Sequence, residues 1–206
     1  MIATEPATTA TLSSSNHADA NNPSPQGDTI TLTIVPEESS VSYEVAETFL
    51  NDNNRLNVAV GKTSTITGEI FANPGDPTKS TLGAFSVDIS AFKSDSNRRD
   101  STIRSRFLES TKYPIATFVP RSIGGLPESY TAGQPYTFQV LGDLTIKQTT
   151  SAVTFDVTAQ YDGNTLTGNA QTTILMSDFG VGPISIAGIL NTEDEVKINF
   201  DFVARP

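Results

Sequence analysis

The chain has 206 residues, 36% of them hydrophobic, with 23 acidic residues against 13 basic ones and a net charge of −10. That length fits one domain, or one domain with a tail, and so acidic a balance argues against a general nucleic-acid or acidic-membrane binder, which needs a basic surface. With no cysteine, disulfides, thiol nucleophiles, thiolate zinc sites and a lipid-modified N-terminal cysteine are excluded within the chain as given.

Residues 1–28 are rich in Thr, Ala, Ser, Asn and Pro, and almost lack large apolar groups. They bury too little surface to offset the entropy of ordering, so a disordered tail is predicted, either an incidental extension or a stalk beyond a cleaved signal. Met1-Ile2-Ala3-Thr4-Glu5 lacks the basic start and apolar centre of a secretion signal. No apolar run approaches the roughly 20 residues that span a bilayer. The expectation is a cytoplasmic protein, or one whose signal is removed before this numbering begins.

Residues 29–206 are assigned to one β-domain. Ile30, Leu32 and Ile34 alternate as a short strand ended by Pro36, and Val41, Tyr43 and Val45 repeat the pattern. Asn51-Asp52-Asn53-Asn54 is a polar loop, after which Ile66, Gly68 and Ile70 share a face. Asn73-Pro74-Gly75-Asp76-Pro77 is a strong turn, followed by Phe85, Val87 and Ile89 in alternation. Between Asn97 and Ser110 the period changes: Ile103, Phe107 and Leu108 recur among arginines, which predicts an amphipathic helix of about three turns capped by Ser96 or Asn97.

Strands resume at Ala116-Thr117-Phe118-Val119, and Gly124 to Gly133 is a long turn-rich connection. Three runs then alternate almost without interruption. Phe138, Val140, Leu144 and Ile146 form one face, Val153 to Tyr161 the next, and Leu166 to Met176 the third, with Asp162-Gly163-Asn164 as a hairpin turn. Ser177 to Asp194 is predicted to be irregular, and Val196, Ile198, Phe200 and Phe202 close the chain as a last strand.

Eight or nine amphipathic strands must hide their apolar faces against a second sheet or against themselves. A sandwich and a closed barrel both satisfy the pattern. Long strands and short turns favour an all-β, antiparallel eight-stranded barrel with one short helix, because closure removes exposed edges. Gly142, Gly168 and Ala170 on the apolar face are expected either to let the sheet bend or to leave volume unfilled. Phe85, Val87, Phe138, Val140, Phe155, Val157, Ile174, Phe200 and Phe202 are predicted to point inward, lining either a packed core or a ligand tunnel.

Several motifs in order resemble the YceI-like family of lipocalin-like, polyisoprenoid-binding proteins. They are Arg99-Asp100, Arg104-Ser105, Lys112-Tyr113-Pro114 with Ala116-Thr117-Phe118, Gly142-Asp143-Leu144-Thr145-Ile146-Lys147, and Asp178-Phe179-Gly180 followed by Glu195-Val196. The resemblance covers about residues 40 to 204 and implies an extended barrel, a hydrophobic tunnel for an isoprenoid chain, and a periplasmic or secreted location. Thr102 and Met176 depart from the His and Arg that family members often carry there.

Catalytic groups are scarce. His17, the one histidine, lies in the predicted tail, so neither a His/Cys metal site nor a Ser–His pair can be assembled, and no cofactor or metal is expected. Asp143, Asp156, Asp178 and Glu195 are carboxylates in solvated or capping positions, and Asp178-Phe179-Gly180 is read as a turn with Phe179 as its anchor. Arg98, Arg99, Arg104, Arg106 and Lys112 crowd into fifteen positions. They form either a solvated helix face, with Arg99 pairing Asp100 or Glu109, or a mouth where Arg99 and Arg104 hold a pyrophosphate or other polar head group.

The leading expectation is a non-enzymatic carrier or sequestering protein for a long isoprenoid, of polyprenyl phosphate or quinone type. The alternative is a secreted β-domain with a solid core that binds a protein or glycan on its outer surface. An enzyme acting on a bound lipid lacks a visible catalytic group. Pairing with a second copy is left open.

Overall fold

The computed structural model describes residues 29–206, and the predicted disordered tail with His17 lies outside them. Thirteen strand segments form one antiparallel sheet. In chain order they are β1 (Ile30–Ile34), β2 (Ser40–Phe49), β3 (Arg55–Thr63), β4 (Ile66–Thr67), β5 (Glu69–Ala72), β6 (Thr81–Leu82) and β7 (Phe85–Asp88), then β8 (Ile115–Gly124), β9 (Pro135–Ile146), β10 (Thr149–Tyr161), β11 (Leu166–Leu175), β12 (Ser185–Ile186) and β13 (Leu190–Arg205).

The segments trace eight strand paths, because several are halves of one strand broken by a glycine or a single turn. β1 continues into β2 through the turn Pro36–Glu38, β3 into β4 across Ser64 and Thr65, β4 into β5 across Gly68, and β6 into β7 across Gly83 and Ala84, while the two-residue β12 is a separate addition paired to β13. Neighbours run β7-β8-β9-β10-β11-β13-β1-β5. β5 pairs with β6, and β4 with β7, so the last path returns to the first and the sheet closes on itself. Backbone bonds from Asp88 N to Thr65 O and from Gly83 N to Glu69 O, both 2.9 Å, stitch this seam, and Ile34 N reaches Gly68 O at 3.1 Å on the other side. The expected eight-stranded barrel is therefore formed, with β2 and β3 extending one side as a hairpin beyond it.

The alternation that predicts the strands also sets the core. Val140, Val153, Val157, Ala159, Ala170 and Phe202 are buried on the inner face, while Thr154, Thr158, Gln160 and Gln171 between them are exposed. The β10–β11 turn is held by the Asp162 carboxylate, which accepts from the backbone N–H of Asn164 at 2.9 Å and of Thr165 at 2.7 Å.

Three expectations change in detail. The helix is shorter: α1 (Asn97–Thr102) gives way to one wide turn over Ile103–Phe107, where Leu108 N bonds to Ile103 O at 2.9 Å. Glu109 then takes a left-handed φ of 48°, ending the helical stretch, while Ser96 caps its start by accepting from Arg99 N. The final strand begins at Leu190 rather than near Val196, because a register shift between Thr192 and Val196 breaks the period-two signal without ending the pairing to β2. The inward glycines leave no empty volume. A Cβ at Gly142 would stand 2.5 Å from the Phe118 ring, and one at Gly168 2.5 Å from the Phe202 ring, so neighbouring aromatics already cover both.

Candidate functional site

The barrel encloses a cavity of about 350 Å³ running along its axis. This lies in the range of small-molecule sites, and the interior is therefore not solid. All nine side chains predicted to point inward (Phe85, Val87, Phe138, Val140, Phe155, Val157, Ile174, Phe200 and Phe202) line it. Aromatic edges shape the wall: Phe118 meets Phe155 at 4.9 Å and Phe85 meets Phe200 at 6.0 Å, both edge to face. No Asp, Glu, Lys, Arg or His is among the lining residues.

The two ends differ. At one end α1, the wide turn, and the segment Met176 to Ile184 cap the barrel with Ile103, Leu108, Met176, Phe179, Val181 and Ile184. Phe179 is 2% exposed, which makes it the plug of this end. Gly180 beside it takes the left-handed φ of 63° that the turn requires. The carboxylate that holds this turn is that of Asp194, which accepts from Ser177 N at 2.8 Å, in place of the expected Asp178. Met176, where family members often carry Arg, is buried in the lining. The opposite end is formed by the loops 73–80, 125–134 and 162–165 with the strand ends beside them, and contributes Asn73, Ser80, Tyr130, Tyr136 and Tyr161. Asn73, Ser80 and Tyr130 lie in loops that carry no period, so no pattern in the sequence singles them out, whereas Tyr161 belongs to the alternating run of β10.

Arg99 and Arg104 do not line the cavity. Arg99 pairs with Glu47 on β2 at 2.8 Å and with Asp95, rather than with Asp100 or Glu109. Burial lowers its pKa, but the hydrogen bond it donates to Asp95 and the charges of Glu47 and Asp95 more than offset this and raise it. Glu47 is 4% exposed and also accepts from Asn57 Nδ2 at 2.8 Å. Asp100 is buried and accepts from Ser94 Oγ at 2.6 Å. Arg104 donates to the backbone carbonyl of Phe92 at 3.1 Å. Arg99 and Arg104 thus fasten the helical segment over the capped end. Lys147 acts similarly, reaching Glu109 at 2.5 Å and the Phe107 carbonyl at 3.2 Å.

Tyr43 stands at this capped end with its ring edge-on to Phe92, 5.2 Å away. Burial, reinforced by the negative charge of Asp100, raises its pKa to about 12. Asp143 pairs with Arg121 at 2.6 Å, and Asp156 accepts from Gln139 at 2.8 Å, both on the outer surface. Among the described residues no group of three His, Cys, Asp or Glu side chains could hold a metal ion, and no helix is long and apolar enough to cross a membrane.

Residues 32–204 match the YceI-like domain. The chain belongs to the YceI-like family. Among its relatives is a UPF0312 protein of Pseudomonas putida (strain W619), 33% identical over 132 residues that span 59% of this chain and 65% of the relative. This YceI-like protein also shares its fold with Burkholderia cenocepacia BcnA, at a TM-score of 0.63 and 24% identity over 82% of this chain and 98% of that one. A polyisoprenoid-binding domain from Saccharophagus degradans, implicated in plant cell wall breakdown, superposes at a TM-score of 0.63 and 12% identity, over 84% and 97% of the two chains. Both match the closed antiparallel barrel described above.

Proposed function

We propose that this YceI-like protein is a non-enzymatic carrier that holds an isoprenoid lipid in its barrel. The observation that carries the proposal is an axial cavity of about 350 Å³ whose lining contains no charged side chain. A dry apolar cavity of about 150 Å³ accepts benzene, so this one accommodates about 14 carbons, or roughly three isoprene units. Apolar burial at about 25 cal/mol per Å² supplies the affinity, less the cost of ordering a flexible tail. The polyisoprenoid-binding domain of Saccharophagus degradans, with the same fold, supports the choice of lipid. The nine inward side chains from Phe85 to Phe202 are the proposed tail contacts, while Arg99 and Arg104 serve to hold the cap in place. A lipid-carrying role of this kind suits a periplasmic or extracellular setting, where an apolar chain must cross water.

Solvent extraction of the purified protein followed by mass spectrometry, with uptake of added prenols of increasing length, tests this. Affinity is expected to rise at least tenfold from geraniol to farnesol and then to flatten. Absence of both a co-purifying lipid and prenol uptake refutes the carrier role.

A further inference from the structure

The strand β3 has a neighbour on one side only. It pairs with β2 along its whole length, and no other strand among the described residues lies beside it. The one contact on its free side is near its end, where Lys62 N donates to Lys93 O at 2.8 Å and Lys93 N to Lys62 O at 3.0 Å. Beyond Lys93 the chain leaves the sheet for α1, so no described strand continues the ladder along Val60, Val58 and Leu56.

Strand geometry fixes what that free side offers. Alternate residues of a strand turn their N–H and C=O to the same side. Those of Lys62 face away from β2, so those of Val60, Val58 and Leu56 do too, and they bond to no described residue. The side chains of these three residues share the outer face and are 44%, 55% and 79% exposed, while Ala59 between them is buried. Leu56 to Gly61 contains no charge and no proline, the usual guards of an open edge. Three unpaired donors, three unpaired acceptors and a stripe of three apolar side chains thus fall within one short stretch.

We infer that this edge is a pairing site for a second copy of the chain, β3 meeting β3 antiparallel about a two-fold axis at Val58. That register sets Val58 opposite Val58 and Leu56 opposite Val60, so each free N–H meets a free C=O and no free group is left on either copy. The facing side chains are all apolar. A shift by two residues sets Leu56 against Lys62, whose bonds Lys93 already takes, or Val60 against Asn54 in the turn. The ends also match in charge. Antiparallel pairing brings the turn that carries Asp52, paired within its own copy to Arg55, toward the end that carries Lys62 and Lys93, neither of which forms an ion pair with the described residues. A strand from another protein would meet the same edge without this self-complementarity. The pairing is independent of the carrier role, since Leu56, Val58 and Val60 take no part in lining the cavity.

The test is sedimentation equilibrium of the full chain over a wide concentration range, with amide hydrogen exchange read at Leu56, Val58 and Val60. A monomer–dimer equilibrium is expected, and exchange at these three amides is expected to slow as the dimer forms. Val58→Lys and Val58→Glu each set like charges opposite one another at the axis, and each is expected to be monomeric with an unchanged circular dichroism spectrum. Mixing the two should restore a dimer, because position 58 faces itself. Should the Val58 variants misfold, Leu56→Lys tests the same edge from its most exposed side chain. Val119→Lys, exposed on β8, is the control and should pair as wild type does. A wild-type chain that stays monomeric overturns the inference, as does a dimer that Val58→Lys or Leu56→Lys leaves intact. Failure of the Lys and Glu variants to pair when mixed overturns the two-fold at Val58, and protection of the three amides by a co-purifying peptide in a monomer overturns the choice of partner.

Discussion

Tyr43 lays its ring over Gly61, its cross-strand partner between β2 and β3, and fills the space that a Cβ would occupy there. The ring is fixed from its other side by Phe92. Neither residue can change alone. Gly61→Ala is expected to destabilise the protein by about 1–3 kcal/mol through overpacking. Tyr43→Leu in the same background should recover part of that loss, since the clash is with the ring and not with backbone. Urea unfolding of the two single variants and the double variant checks this; purely additive effects would show that the ring does not set the glycine.

The Arg99–Glu47 pair joins the helical cap to the barrel across 52 positions of sequence. The side chains are 15% and 3% exposed, so removing the guanidinium leaves a buried carboxylate with Asn57 as its remaining donor. Arg99→Met is expected to cost about 3–5 kcal/mol, the usual effect of breaking a buried pair from one side. Glu47→Gln/Arg99→Met, which removes both charges, should recover much of it. A loss below about 1 kcal/mol for Arg99→Met in urea unfolding would place the pair among surface contacts.

Alkaline pH probes the same end. The folded-state pKa of Tyr43, about 12, lies above the ordinary phenol value of 10.0 because burial disfavours the phenolate. The stability it contributes is therefore fully present below pH 10 and is lost as pH rises from 10 to 12. Tyr43→Phe cannot ionise, so its urea midpoint should fall less across that window than the wild-type midpoint does. Tyr161, also raised, remains in both proteins and cancels in the comparison. Parallel curves would mean that Tyr43 ionises as freely folded as unfolded.

The parts of this molecule that were legible in sequence are those governed by a local period. Val153, Phe155, Val157, Ala159 and Tyr161 declare their face because a strand exposes every second side chain. Barrel closure is different: it depends on Gly68 splitting one strand so that Ile66 pairs with Val87 while Ile70 pairs with Leu82 and Leu32. Nothing within five residues of Gly68 encodes that. Arg99 finds Glu47 only once α1 folds over β2, so nearby Asp100 and Glu109 were the natural expectation. Tyr130 reaches the cavity from a loop, where no alternation marks an inward residue.

If the cavity is the lipid site, filling it should abolish uptake while leaving the fold. Ala170 is buried on β11, lines the cavity, and faces Val157 across the sheet. A phenyl ring there occupies about 150 Å³, the volume of a benzene site, out of about 350 Å³. Ala170→Phe is therefore expected to retain the native circular dichroism spectrum, since the added ring enters a void rather than a packed core. Its farnesol affinity should fall at least tenfold. Ala46→Phe, on the exposed face of β2, is the control and should bind as wild type does. Should Ala170→Phe prove too unstable to titrate, Val157→Phe fills the same space from the neighbouring strand. Undiminished uptake by a folded cavity-filled variant would move the lipid site out of the barrel.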